Sequence, residues 1–206
     1  MTARTVEAIG AARVVPVIRT TEPGLALPAA EALIAGGASV LEVALTCPDA
    51  LEVVAALAGR IPVGAASVSS VEILEEAVRR GAAFTVSPHS DPALLERARR
   101  LGTLHIPGAA TPTEAVAAVK AGAALVKIFP ARELGGPVYL RALLAPLPEL
   151  RLIPAGGVSP GEVAQYLAAG AFAVALGSEL VRREWLRDGA WDKLQGAMED
   201  LLARLS

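Results

Sequence analysis

The sequence predicts an α/β chain closed into a TIM-type (β/α)8 barrel, with one extra helix at the N-terminus. Three observations carry this expectation. Eight short apolar runs alternate with longer segments of helical spacing along 206 residues. The order helix–Gly–Ala–strand recurs at Gly37-Ala38, Gly81-Ala82, Gly122-Ala123 and Gly170-Ala171, marking a repeated β/α unit of roughly 20–25 residues. The runs are almost continuously apolar, as parallel strands are when helices cover the sheet.

Residues 5–12 are expected to form the extra helix across the bottom of the barrel. The strands follow at 13–18, 40–45, 63–67, 83–87, 104–106, 125–128, 152–155 and 173–176. Helical spacing between them is plain in Val71-Leu74-Val78 and Ala115-Val116-Val119. Start signals agree with it. Ser70-Val71-Glu72-Ile73 sets a capping residue before a carboxylate, and Thr111-Pro112-Thr113-Glu114 and Ser159-Pro160-Gly161-Glu162 put proline at the first helical position. Glycines at 36–37, 81, 122 and 170 supply the stops. No linker or low-complexity stretch interrupts the series, so residues 1–206 read as a single barrel domain. An open doubly wound sheet is the competing architecture; the first strand lacks the Gly-rich phosphate turn that fold often uses.

Composition narrows the function. Apolar residues make up 53% of the chain and the net charge is −2, with Lys and Arg scattered. That argues for a globular protein and against nucleic acid as the main partner. The longest charge-free stretch, residues 163–178, has 16 residues and contains Gly170; roughly 18–20 are needed to span a bilayer. The first ten residues carry Arg4 and Glu7 and lack the apolar core of a signal peptide. A cytoplasmic protein without membrane contact is expected. The lone Cys47 allows no intrachain disulfide, and no basic neighbour marks it as reactive. No His, Cys or carboxylate set has metal-ligand spacing, so neither metal nor cofactor is expected. His89 and His105 read as strand-end or core histidines.

The chain has only three lysines against sixteen arginines. Lys120 and Lys193 lie in helical, charge-bearing stretches. Lys127 instead ends the apolar run Ala123-Ala124-Leu125-Val126-Lys127-Ile128-Phe129-Pro130. Burying an ammonium is costly, and a lysine so placed tends to shed its proton and become a nucleophilic amine. A desolvated lysine is the usual start of Schiff-base chemistry on a carbonyl. Glu42, in Leu41-Glu42-Val43-Ala44-Leu45, alternates with apolar neighbours and should point into the barrel. A buried carboxylate needs a partner, and Lys127 can supply it. Together they form either an amine nucleophile with a proton shuttle or an ion pair that only fixes the core.

The remaining strand ends suggest where anions bind. Gly156-Gly157-Val158-Ser159 follows the seventh strand and Gly177-Ser178 the eighth, the turns that hold phosphate in many barrels. Arg19 ends the first strand, next to the eighth around the ring, and could hold a carboxylate or phosphate bidentately; the alternative is an exposed rim arginine.

The ordered set of motifs resembles the class I 2-keto-3-deoxy-6-phosphogluconate (KDPG) and 4-hydroxy-2-oxoglutarate (KHG) aldolase family over nearly the whole chain. The resemblance rests on Val14-Val15-Pro16-Val17-Ile18-Arg19, Gly36-Gly37 with Leu41-Glu42-Val43, Val86-Ser87-Pro88-His89 and the run from Ile106 to Glu114. It continues through Val126-Lys127-Ile128-Phe129-Pro130-Ala131, Pro154-Ala155-Gly156-Gly157-Val158 and Gly177-Ser178. It implies that Lys127 forms the Schiff base and that Glu42 is the general acid/base, acting through a bound water. It also implies that Phe129 and Pro88 wall a pyruvate pocket, that Gly156, Gly157, Gly177 and Ser178 surround the phosphate, and that the chain is a homotrimer.

Three departures from the family pattern bear on the substrate. Thr46 stands where many members have a carboxylate-binding arginine, which shifts anion binding toward Arg19. Ala66-Ser67 replaces Gly-Thr, keeping a hydroxyl for the carboxylate but adding a methyl. Ala155 replaces a common threonine. The implied reaction is cleavage of 2-dehydro-3-deoxy-6-phosphogluconate to pyruvate and glyceraldehyde 3-phosphate, an Entner–Doudoroff step. Alternatives are 4-hydroxy-2-oxoglutarate or 2-dehydro-3-deoxy-6-phosphogalactonate as substrate. More distant ones are a phosphosugar isomerase or epimerase and a phosphate-binding barrel.

Overall fold

The structure, a computed structural model, describes residues 2–205. Its strands are β1 (Val14–Ile18), β2 (Leu41–Ala44), β3 (Val63–Ala66), β4 (Phe84–Val86), β5 (Leu104–Ile106), β6 (Gly108–Ala109), β7 (Val126–Ile128), β8 (Leu152–Pro154) and β9 (Val174–Leu176). The helices between them are α2 (Ala26–Ala35), α3 (Ala50–Leu57), α4 (Val71–Arg79), α5 (Pro92–Leu101), α6 (Pro112–Lys120), α7 (Gly136–Leu144) and α8 (Val163–Ala168). α1 (Thr2–Ala12) precedes β1, and α9 (Arg183–Arg187) and α10 (Trp191–Ala203) follow β9.

Among the described residues every strand pairing is parallel. Six strands pair in the order β5-β4-β3-β2-β1-β9 and three in the order β6-β7-β8. The fold is thus an α/β fold with a curled parallel sheet. The fifth predicted strand, 104–106, is β5; beyond Pro107 the chain forms a further short strand, β6, that the sequence reading did not include. Proline has no N–H to give to a ladder. Its carbonyl still accepts from Lys127 N–H at 2.8 Å. At the other seam, Phe172 N–H donates to Leu152 O at 2.8 Å, bringing the approach to β9 against β8.

Side-chain alternation builds two apolar layers. Val15, Val17, Val40, Phe84, Val86, Leu104, Ile106, Leu125, Ile153 and Ala175 turn to a common interior to which both sheets contribute. Val6 and Ile9 of α1 join that interior. Residues of opposite parity, such as Ile18, Leu41, Val43, Val126 and Leu152, face the helices in the larger outer layer. Full burial of each such side chain stabilises the fold by about 1.5–3 kcal/mol. Space inside is tight. A Cβ on Gly64 would overlap the Phe84 ring, so the pairing of Gly64 with Phe84 across β3 and β4 needs a residue without a side chain.

Helix ends follow the local chemistry. Ser70 accepts from Ile73 N–H, and Thr111 and Glu114 form a reciprocal capping box. Ser159 and Glu162 form a similar box, around a single 3-10 turn, Pro160–Glu162, that leads into α8. At the end of α6, Gly122 takes φ 100°, and Ala123 N–H reaches back to Ala118 O at 3.0 Å. Such a left-handed stop turns the chain sharply into the next strand. Gly37, Gly81 and Gly170 repeat it with φ of 95°, 93° and 99°.

Candidate active site

Parity within the strands gathers the polar groups at one end of the interior. Register pairs Val17 with Glu42, Glu42 with Gly64, and Gly108 with Lys127. Glu42 and Lys127 therefore belong to the interior set. A cavity of about 340 Å³ opens at the C-terminal ends of β1, β7, β8 and β9. Its walls include Arg19, Lys127, Phe129, Gly156, Gly157, Gly177 and Ser178. Seven of the residues singled out in the sequence thus share one cavity.

Lys127 is only partly buried, in contrast to the enclosed position suggested by its apolar run. Its neighbours Val126 and Ile128 face the outer layer, so they do not cover the side chain. Nζ lies 5.3 Å from the centroid of the Phe129 ring. Among the described residues no salt bridge within 4 Å joins it to Glu42. The two groups interact through space instead. Glu42 is 2% exposed, and its Oε2 has no hydrogen-bond partner among the described residues. Burial pushes the Glu42 carboxyl above the usual carboxylate range; the charges of Lys127 and Arg19 pull it back only in part. An apolar setting with two nearby cations thus leaves a carboxyl that can hold and release a proton nearer neutrality.

Arg19 organises the side of the site toward β2 and β3. Its guanidinium donates to Thr46 Oγ1 at 2.8 Å and to Ser67 Oγ at 3.1 Å. Thr46, Ser67 and Glu42 do not line the cavity, and the two hydroxyls reach it through Arg19. Ser67 holds φ 65°, an uncommon conformation for a residue with a side chain. Pro88 also lies outside the cavity lining. It is exposed at the end of β4, with its carbonyl group packed where a Cβ of Gly108 would stand, one strand from Lys127.

The wall at the ends of β8 and β9 is built largely from backbone. Gly156 has φ 90°, and a Cβ there would come 2.9 Å from the Phe129 ring. Gly157 is likewise left-handed, with Arg132 packed against it on the flank. Neither Gly157 N–H nor Ser178 N–H donates to a carbonyl among the described residues. Free N–H groups in two adjacent turns suit an anion. Cys47 is buried, accepts from Thr20 N–H at 3.3 Å, and has its thiol pushed up by burial. His105 lies away from the cavity, its ring nitrogens 2.9 Å from Thr85 Oγ1 and 3.3 Å from Ser87 Oγ.

The signature described as "KDPG and KHG aldolase" matches residues 6–197. The chain belongs to the KDPG and KHG aldolase family. It is 37% identical over 185 residues to the KHG/KDPG aldolase of Escherichia coli, covering 88% of this chain and 86% of that one. It is 35% identical over 184 residues to the 2-dehydro-3-deoxy-phosphogluconate aldolase of Pseudoalteromonas atlantica, with the same coverage of 88% and 86%. A crystal structure of the Legionella pneumophila KDPG aldolase, with pyruvate captured at low pH as a covalent carbinolamine intermediate, superposes with a TM-score of 0.88. Identity there is 30%, over 96% of this chain and 97% of that one.

Within the family frame, Ala66 and Ala155 both sit in the interior, and Ala155 lines the cavity with a methyl group. Four polar lining residues were not singled out in the sequence: Thr20, Thr21, Glu179 and Arg183. Thr20-Thr21 carries no motif, and Arg182-Arg183-Glu184 looks like any solvated charge run.

Proposed function

We propose that the chain is a class I aldolase that cleaves 2-dehydro-3-deoxy-6-phosphogluconate to pyruvate and glyceraldehyde 3-phosphate. The observation that carries this reading is that Lys127, Arg19 and the two glycine turns share one cavity, with Glu42 electrostatically coupled to Lys127. The reading agrees with the relatives named as KDPG aldolases and with the pyruvate carbinolamine of the Legionella pneumophila enzyme.

The Lys127 amine adds to the C2 carbonyl and gives a carbinolamine. Proton transfer through Glu42 and a water expels hydroxide as water and leaves an iminium. The C4 hydroxyl then gives its proton to the same relay, the C3–C4 bond breaks, and its electron pair flows into the iminium. Glyceraldehyde 3-phosphate departs and leaves an enamine. Protonation at C3 and hydrolysis release pyruvate and restore the Lys127 amine. Arg19, held by Thr46 and Ser67, takes the substrate carboxylate. Phe129 walls the pyruvate, and Gly156, Gly157, Gly177 and Ser178 face the phosphate. No cofactor enters the scheme.

A second reading, 4-hydroxy-2-oxoglutarate as an additional substrate, is favoured by the Escherichia coli relative named KHG/KDPG aldolase. We further read the two sheets as one barrel of eight strands, with β5 and β6 as a single interrupted strand, closed at the β8–β9 seam. On this reading α1 plugs the bottom and residues 1–206 form one domain. Family resemblance alone supports a homotrimer and a cytoplasmic location.

Borohydride reduction with pyruvate present, followed by peptide mass mapping, tests the chemistry. The expected result is a pyruvate-derived adduct on Lys127. Folded protein that yields no adduct overturns the reading. Lys127→Ala should abolish aldol cleavage with an unchanged circular dichroism spectrum, and retained cleavage would remove Lys127 from its role.

A further inference from the structure

Resting on the aldolase reading, we propose that Arg183 is a specificity-determining residue that holds the phosphate end of the substrate. It lines the same cavity as the β8 and β9 turns.

The charges that line the cavity are three cations, Arg19, Lys127 and Arg183, and one carboxylate, Glu179. Arg19 is committed to the β2–β3 side by its bonds to Thr46 and Ser67. Lys127 is committed to the carbonyl carbon. The glycine turns line the same cavity, and Glu179, next to Ser178, brings a negative charge to them. A phosphate dianion seated there needs a local cation to offset that carboxylate. Arg132 is close in space, but its stem packs on the flank of Gly157, its charge acts on Glu162, and it does not line the cavity. Arg183 does line it, and among the described residues its guanidinium has no hydrogen bond or ion pair.

The adjacent arginine behaves differently. Arg182 stacks over the Trp185 ring at 4.8 Å and lines a separate groove. Neighbouring side chains of like charge therefore serve different surfaces, and only one opens onto the site. A guanidinium presents paired donors that match two phosphate oxygens. Its place on the β9 side sets the distance between the two anionic ends of an acceptable substrate.

The test compares the parent enzyme with R183Q, R183K and R182Q. Specificity constants are measured on 2-keto-3-deoxy-6-phosphogluconate and on its unphosphorylated counterpart, together with inhibition by inorganic phosphate. R183Q should lower the preference for the phosphorylated substrate by about tenfold or more, through KM, and weaken phosphate inhibition in parallel. R183K should recover most of that preference, and R182Q should leave it unchanged. An unchanged preference in R183Q overturns the proposal. So does an equal loss in R182Q, which would mean that general surface charge and not contact is at work. Pyruvate trapping by borohydride is run on every variant. If the parent traps pyruvate and R183Q keeps its preference, the Arg183 assignment fails while the aldolase reading stands. If the parent does not trap pyruvate, the aldolase reading fails and the Arg183 assignment falls with it.

Discussion

Glu42 is a carboxyl held in an apolar interior. The surrounding interior raises its proton affinity, and Lys127 and Arg19 only partly offset this. A carboxyl raised in the folded state stabilises the fold fully below its unfolded value near 4.5, and that contribution is lost as pH rises through the folded value. Above that value a charged carboxylate sits in an apolar interior. Glu42→Gln should therefore raise the urea midpoint at pH 8, with the gain shrinking toward pH 4.5. The same variant should lose about 10²- to 10⁴-fold in turnover. A variant no more stable than the parent at pH 8 would mean that Glu42 is better compensated than its surroundings indicate.

At the scale of elements, α10 is docked by the absence of a side chain. A Cβ on Gly36 would fall 2.6 Å from Gln195 O and 2.8 Å from Met198 Cβ, so the end of α2 touches the α10 backbone directly. Gly36→Ala should cost about 1–3 kcal/mol in chemical denaturation, because α10 must shift. It should leave pyruvate trapping intact, because α10 supplies no cavity residue. The caps of α4 and α6 and the left-handed glycine stops after α2, α4, α6 and α8 were visible in the sequence because they depend on neighbours within about five residues. Pro107 was visible too. Its effect on the sheet was not, because a missing N–H matters only once the partner strand is known.

The acid stability of the whole molecule includes a contribution from His105, whose ring burial holds at about 4 against an ordinary 6.5. Nearby His89 lowers it further and Asp91 opposes both. A base lowered in the folded state contributes stability that is complete above about pH 6.5 and is lost as pH falls through about 4, roughly 3 kcal/mol over that window. His105→Gln should flatten the stability profile between pH 6.5 and 4 in urea denaturation. An equally steep fall in the variant would assign acid sensitivity to other groups.

The alternation of strands and helices, the repeated glycine stops, the place of Lys127 in the cavity, the burial of Glu42 and the two glycine turns were legible from residue type and spacing. Each depends on local geometry or on the parity of a single strand. Other features required the chain to be folded. Thr46 and Ser67 serve the site through Arg19, across residue separations of 27 and 48. Lys127 keeps a half-open setting because its chain neighbours face the other layer. Arg183 joins the cavity while Arg182 turns to Trp185. Periodicity within an element determines which face a side chain takes. Which distant side chain it meets there depends on sheet curvature and loop paths, and no local pattern encodes these.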